Sequence, residues 1–121
     1  MKKIKSGMLF LAVLFLSTSL KAQTIDQAKG LLYYEKYKSA KAGFEKLVAA
    51  NVNDVDAVYW LGQTMVAPDD RTAKDIADAK ALYQKTLLAN SNSALLLAGI
   101  GHIELLEGKS QDARNHFETA I

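Results

Sequence analysis

The chain contains no cysteine and a single proline among 121 residues. Without thiols there is no disulfide framework, no thiolate zinc site, no cysteine nucleophile and no lipid-modified N-terminal cysteine. One proline, Pro68, leaves the rest of the chain free to run in uninterrupted helices. Charge of one sign is also lacking, with 15 Lys/Arg against 13 Asp/Glu, which gives no basic stripe suited to nucleic acid. Half the residues are apolar, too many for a disordered chain. The length supports one domain or a part of a larger one.

The first 22 residues differ from the rest. Lys2, Lys3 and Lys5 make a basic start, Met8 to Leu16 is an unbroken apolar run, and Ser17, Thr18 and Ser19 turn polar before Ala22. Basic, apolar, then small is the layout of a secretory signal peptide, with the cut expected between Ala22 and Gln23. The run is shorter than the about 20 apolar residues that a bilayer core requires, so a retained anchor is the lesser alternative. The expected address is therefore outside the cytoplasm: periplasm, cell envelope or secreted. Four lysines and no acid leave with the leader, so the mature residues 23–121 carry a net charge of −2.

From Thr24 onward strong helix formers dominate and β-branched runs are absent. Breaks predict six helices, over roughly 24–34, 37–50, 54–66, 72–89, 93–106 and 110–121. Thr24 with Gln27 and Thr72 with Asp75 have the spacing of a reciprocal capping box. Ser93 and Ser110 are expected to cap the last two helices.

The helices repeat as pairs. Small residues recur at Ala28, Gly62 and Gly101 on the first helix of each pair, and at Ala40, Ala79 and Ala113 on the second. An aromatic follows each of the latter by four: Phe44, Tyr83 and Phe117. The register has a period of 34, and the second pair carries five extra residues around Pro68-Asp69-Asp70-Arg71. Small residues allow close helix crossings, which predicts tight contacts at Ala28/Ala40, Gly62/Ala79 and Gly101/Ala113. One pair cannot bury both its faces, so successive pairs must stack.

Trp60-Leu61-Gly62, Ala40 with Phe44, and Gly108 with Ala113, Phe117 and Ala120 resemble the tetratricopeptide repeat (TPR) family over about residues 24–121. The usual inter-repeat proline is replaced by Val52 and Ser91. The resemblance implies an all-α helix-turn-helix solenoid of about three repeats, over about 24–53, 54–92 and 93–121, the last incomplete or uncapped. It also implies a concave surface, lined by the first helix of each pair, that takes peptides or extended segments. The family's groove positions fall on Lys29, Tyr33, Tyr59, Gln63, Leu95, Ala98 and His102. The lysine and asparagine set that clamps a C-terminal dicarboxylate in some members is not matched, so chaperone-tail binding is not expected.

Little in the chain points to catalysis. His102 and His116 are fourteen apart and form no paired metal motif; they read as solvated or groove-facing imidazoles. Asp69, Asp70, Asp75 and Asp78 lack the spacing of a calcium loop and suit a helix N-terminus instead. Gly99-Ile100-Gly101 lies inside an apolar helix and is no phosphate loop. Tyr33, Tyr34 and Tyr37 interleaved with lysines read as packing and a solvated face.

The expectation is an exported interaction scaffold, without cofactor or metal and not an enzyme, whose protein or peptide partner is not legible. The alternative is an N-terminal docking module of a larger enzyme or sensor. Leu95, Leu96, Leu105, Leu106, Phe117 and Ile121 are expected to form an apolar end, covered by further chain, by a partner or by a second copy.

Overall fold

A computed structural model describes residues 24–121; the leader expected at residues 1–22 lies outside the described residues. Six helices follow one another: α1 (Ile25–Tyr33), α2 (Tyr37–Ala50), α3 (Val55–Val66), α4 (Ala73–Ala89), α5 (Ala94–Leu106) and α6 (Ser110–Ala120). No strand occurs among the described residues. The described residues form an all-α solenoid of three helical hairpins.

Local bonds set most of the helix starts. Thr24 Oγ1 accepts from the Gln27 amide at 3.2 Å while Gln27 Oε1 accepts from the Thr24 amide at 3.0 Å. Thr72 and Asp75 form the same reciprocal box at 3.1 and 2.8 Å. Asp54 and Ser93 cap α3 and α5 through single side-chain bonds at 3.1 and 3.2 Å. These groups satisfy amides that have no partner within the helix.

Ser110 departs from expectation. It is the first residue of α6, and Lys109 holds the cap position without a side-chain bond. The reason lies in the preceding turn. Lys109 N–H donates to Glu104 O at 2.8 Å and Gly108 N–H to Leu105 O at 3.1 Å, closing α5 with a Schellman motif. The turn is so short that its last residue already opens the next helix. The first hairpin repeats this geometry: Lys36 donates to Leu31 O and Glu35 to Leu32 O, both at 2.9 Å. Gly108 takes φ 78° and Glu35 takes φ 58° at equivalent places, a left-handed conformation that strains only the glutamate. In the middle hairpin the five extra residues replace this turn, and Arg71 N–H donates to Pro68 O at 3.1 Å.

Each helix packs on its hairpin partner, and each helix of the first two hairpins also packs on the first helix of the next. The backbones of α1, α3 and α5 also approach in succession, whereas among the described residues those of α2, α4 and α6 stay more than 8 Å apart, Cα to Cα. The first helices thus form a closed row and the second helices splay outward, which bends the stack. Ala28, Ala40, Phe44 and Leu61 form one buried cluster. Val58, Val66, Ala79, Tyr83, Leu96, Ile100 and Ile103 form another. Val48, Met65 and Leu82 pack against both and join them into one core. Leu96, expected at an apolar end, is fully buried in this core, while Leu105 and Ile121 are exposed.

The glycines of the first helices make room for aromatic side chains of the second helices. A Cβ added at Gly62 would fall on the Tyr83 ring, and one at Gly99 would lie 2.8 Å from the opposite edge of that ring. Gly101 stands in the same relation to Phe117, at 2.6 Å. For Gly62 and Gly101 the nearest neighbour is therefore the aromatic four residues beyond the expected alanine. Removing the side chain makes a slot for a ring.

This geometry gives opposite signs for one substitution at two sites. Gly62→Ala is expected to destabilise by about 1–3 kcal/mol, because the fully buried Tyr83 ring has no room to retreat. Gly30→Ala meets no atom within 4 Å and is expected to stabilise by up to about 1 kcal/mol through helix propensity. Urea unfolding followed by circular dichroism would read both; equal signs would refute the slot.

Candidate binding face

The row formed by α1, α3 and α5 carries the expected groove residues. At its N-terminal end Lys29 Nζ sits 4.7 Å from the centroid of the Trp60 ring, within cation–π range. Lys29, Gly30, Leu32, Tyr33 and Trp60 line an open pocket of about 400 Å³ whose walls are almost wholly apolar. Tyr33 beside it is 81% exposed and meets Tyr34, 72% exposed, edge-on at 5.2 Å. The pocket forms because α1 and α3 are neighbours, so residues 31 apart in sequence share one wall.

Tyr59 and Gln63 lie one step along α3. Tyr59 stacks on Tyr83 at 6.2 Å and meets Trp60 edge-on at 5.2 Å. Gln63 Nε2 donates to Tyr83 Oη at 3.0 Å, and that hydroxyl donates to the Tyr59 carbonyl at 2.7 Å. The Gln63 amide is thus committed to holding Tyr83. Burial pushes the Tyr83 phenol well above its ordinary value, only partly offset by Gln63. Leu95, Ala98 and His102 are half-buried on α5 and do not line the Lys29–Trp60 pocket. Burial, then the nearby Arg71 cation, holds the His102 imidazole below its usual range.

Trp60 was legible in the sequence as part of the repeat signature and not as a pocket wall. His116 is partly solvated, as expected, but one side of its ring is engaged within the fold. Its Nδ1 lies 2.5 Å from Oε1 of Glu104, a residue only 4% exposed, on the contact between α5 and α6. Their separation of twelve equals that of Gly101 and Ala113, so the hairpin register brings them together. Met65 and Leu82 occupy the equivalent places in the second hairpin, where both are partly buried against the core.

Two of the four acids in the cluster, Asp75 and Asp78, have local partners. Asp75 closes the capping box, and its bonds to Thr72 hold its carboxyl below the usual carboxylate range. Asp78 pairs with Lys74 at 2.5 Å on the exposed side of α4. Among the described residues no group of three or more His, Asp or Glu could hold a metal ion. Nor is any described helix long and apolar enough to cross a membrane. A scan against protein-family models finds no match to the chain, and a search of curated proteins finds none either.

Two outcomes follow. An acid whose folded pKa lies above its unfolded value supports the fold below the unfolded value and loses that support as pH rises. Stability should therefore fall as pH climbs beyond about 10, and Tyr83→Phe should flatten the fall while costing about 1 kcal/mol at neutral pH. Denaturant midpoints from pH 7 to 11 would check both; an unchanged slope in Tyr83→Phe would reject the phenol as the source. Separately, His116→Leu leaves the buried Glu104 carboxyl without its bond and should cost about 1–3 kcal/mol. The double variant Glu104→Met/His116→Leu restores the pair found in the second hairpin and should recover most of that loss. A double variant as unstable as the single one would break the equivalence.

Proposed function

We propose that this chain is an exported scaffold of the tetratricopeptide type, which binds a protein or peptide partner across the face made by α1, α3 and α5. It acts by shape and side-chain contacts rather than by chemistry on a substrate. The repeat assignment is supported by the 34-residue register and by the matching turns at Glu35 and Gly108. Export is supported by the basic and apolar pattern of residues 1–22.

The observation that carries binding is the Lys29–Trp60 pocket with exposed Tyr33 on its rim. Apolar concavities with aromatic walls are where interfaces concentrate their energy. Tyr33 and Tyr34 cannot be explained by core packing, since most of each ring faces solvent.

A capture experiment from cell-envelope extract tests the reading, with Lys29→Ala and Tyr33→Ala beside the unaltered protein. Both residues sit at the pocket, and neither belongs to a buried core cluster. Capture should drop at least about tenfold in one of them, the loss of a single interface anchor. Partners retained undiminished by both variants would remove the face as the binding surface.

A further inference from the structure

We propose that the pocket between α4 and α6 is a second site, built to take an uncharged apolar molecule that carries one hydroxyl, of about the size of a phenol. It lies on the splayed side of the arc and does not depend on the peptide face. Gln84, Leu87, Leu88, Ser91, Ile100 and His116 line it, and its volume is about 420 Å³. Small-ligand sites commonly have this size and this mixture of apolar walls with a few polar groups. None of the six lining residues is an acid, lysine or arginine, which suits a neutral ligand.

The pocket exists because the third hairpin departs from the second. Where α4 packs beside the first hairpin, Leu82 reaches both core clusters and helps fill the corresponding gap. His116 stands 34 residues later at the equivalent place. Its Nδ1 is held by Glu104 Oε1 at 2.5 Å and by Asp112 O at 3.2 Å. A plug in one interface is thus an anchored imidazole in the next.

That anchoring fixes what the ring offers. The Asp112 carbonyl can only accept a hydrogen bond, so the bonding pattern is satisfied when Nδ1 carries the proton. Nε2 is left, with no hydrogen-bond partner among the described residues. No buried side-chain nitrogen or oxygen among them lacks a partner, so Nε2 is reachable by solvent. A neutral imidazole with its proton on Nδ1 presents Nε2 as an acceptor. Together with the Gln84 and Ser91 side chains, which also line the pocket, such an acceptor would favour an O–H donor over its hydrocarbon counterpart.

The test uses the full chain at pH 8 with 4-methylphenol and toluene as probes, read by NMR shifts of the His116 ring and the Ile100, Leu87 and Leu88 methyls. 4-Methylphenol should shift these signals and bind at least about tenfold more tightly than toluene, the worth of one hydrogen bond. Glu104→Met/His116→Leu, chosen because it rebuilds the pair of the second hairpin, should lose the preference for the hydroxyl. Equal affinity for the two probes, absence of shifts at millimolar concentration, or an unchanged preference in the folded double variant would each overturn the proposal. If that variant does not fold, the comparison of the two probes on the unaltered chain decides alone.

Discussion

The Tyr83 ring fills the volume that side chains on two different helices would otherwise claim. Gly62 of α3 lies against one side of it and Gly99 of α5 against the other, so the ring spans the joint between the second and third hairpins. Each glycine costs its helix about 1 kcal/mol relative to alanine. Complete burial of an aromatic ring returns several times that amount. The hydroxyl would be a liability in such a place, but it donates to the Tyr59 carbonyl and accepts from Gln63. One side chain therefore ties core packing to the row of helices that carries the candidate binding face.

Symmetry between hairpins extends to backbone detail. The turns at Glu35 and Gly108 share a left-handed residue and the same pair of closing bonds, and the lysine after each opens the next helix. Asn51 and Asn90 accept equivalent bonds from Asp54 and Ser93 between hairpins. Against this regular frame the departures carry meaning. The middle turn is lengthened by five residues, which puts Arg71 close enough to influence His102. The third hairpin replaces an apolar pair by Glu104 and His116, and a pocket opens beside them.

The two surfaces have different physical characters. The Lys29–Trp60 pocket is shaped by aromatic rings at the edge of the closed row, with a cation already resting on one of them. That combination suits an apolar anchor of an extended partner. The pocket between α4 and α6 arises where the backbones of those helices stand apart, and its one hydrogen-bonding ring is held from behind by a buried carboxyl. Lys80 of α4 bonds Glu107 in the α5–α6 turn at 2.7 Å and keeps the two sides of this gap in register.

The sequence by itself determined the helices, three of their caps and the register of the helix pairs. Capping bonds join residues three apart, and a repeat is a spacing, so both are written along the chain and can be read there. Thr24 with Gln27, Thr72 with Asp75, and the aromatics at Phe44, Tyr83 and Phe117 belong to this class. Of the candidate site, the register placed Lys29, Tyr33, Tyr59 and Gln63 on first helices. Only the tertiary structure decided that Trp60 walls a pocket under Lys29, that Gln63 spends its amide on Tyr83, and that Glu104 anchors His116. It also moved the cap of α6 from Ser110 to Lys109. Contacts between helices depend on the rotation of each axis and on which rotamer fits the remaining space. Those are fixed when all the helices pack at once, and no spacing along one helix specifies them.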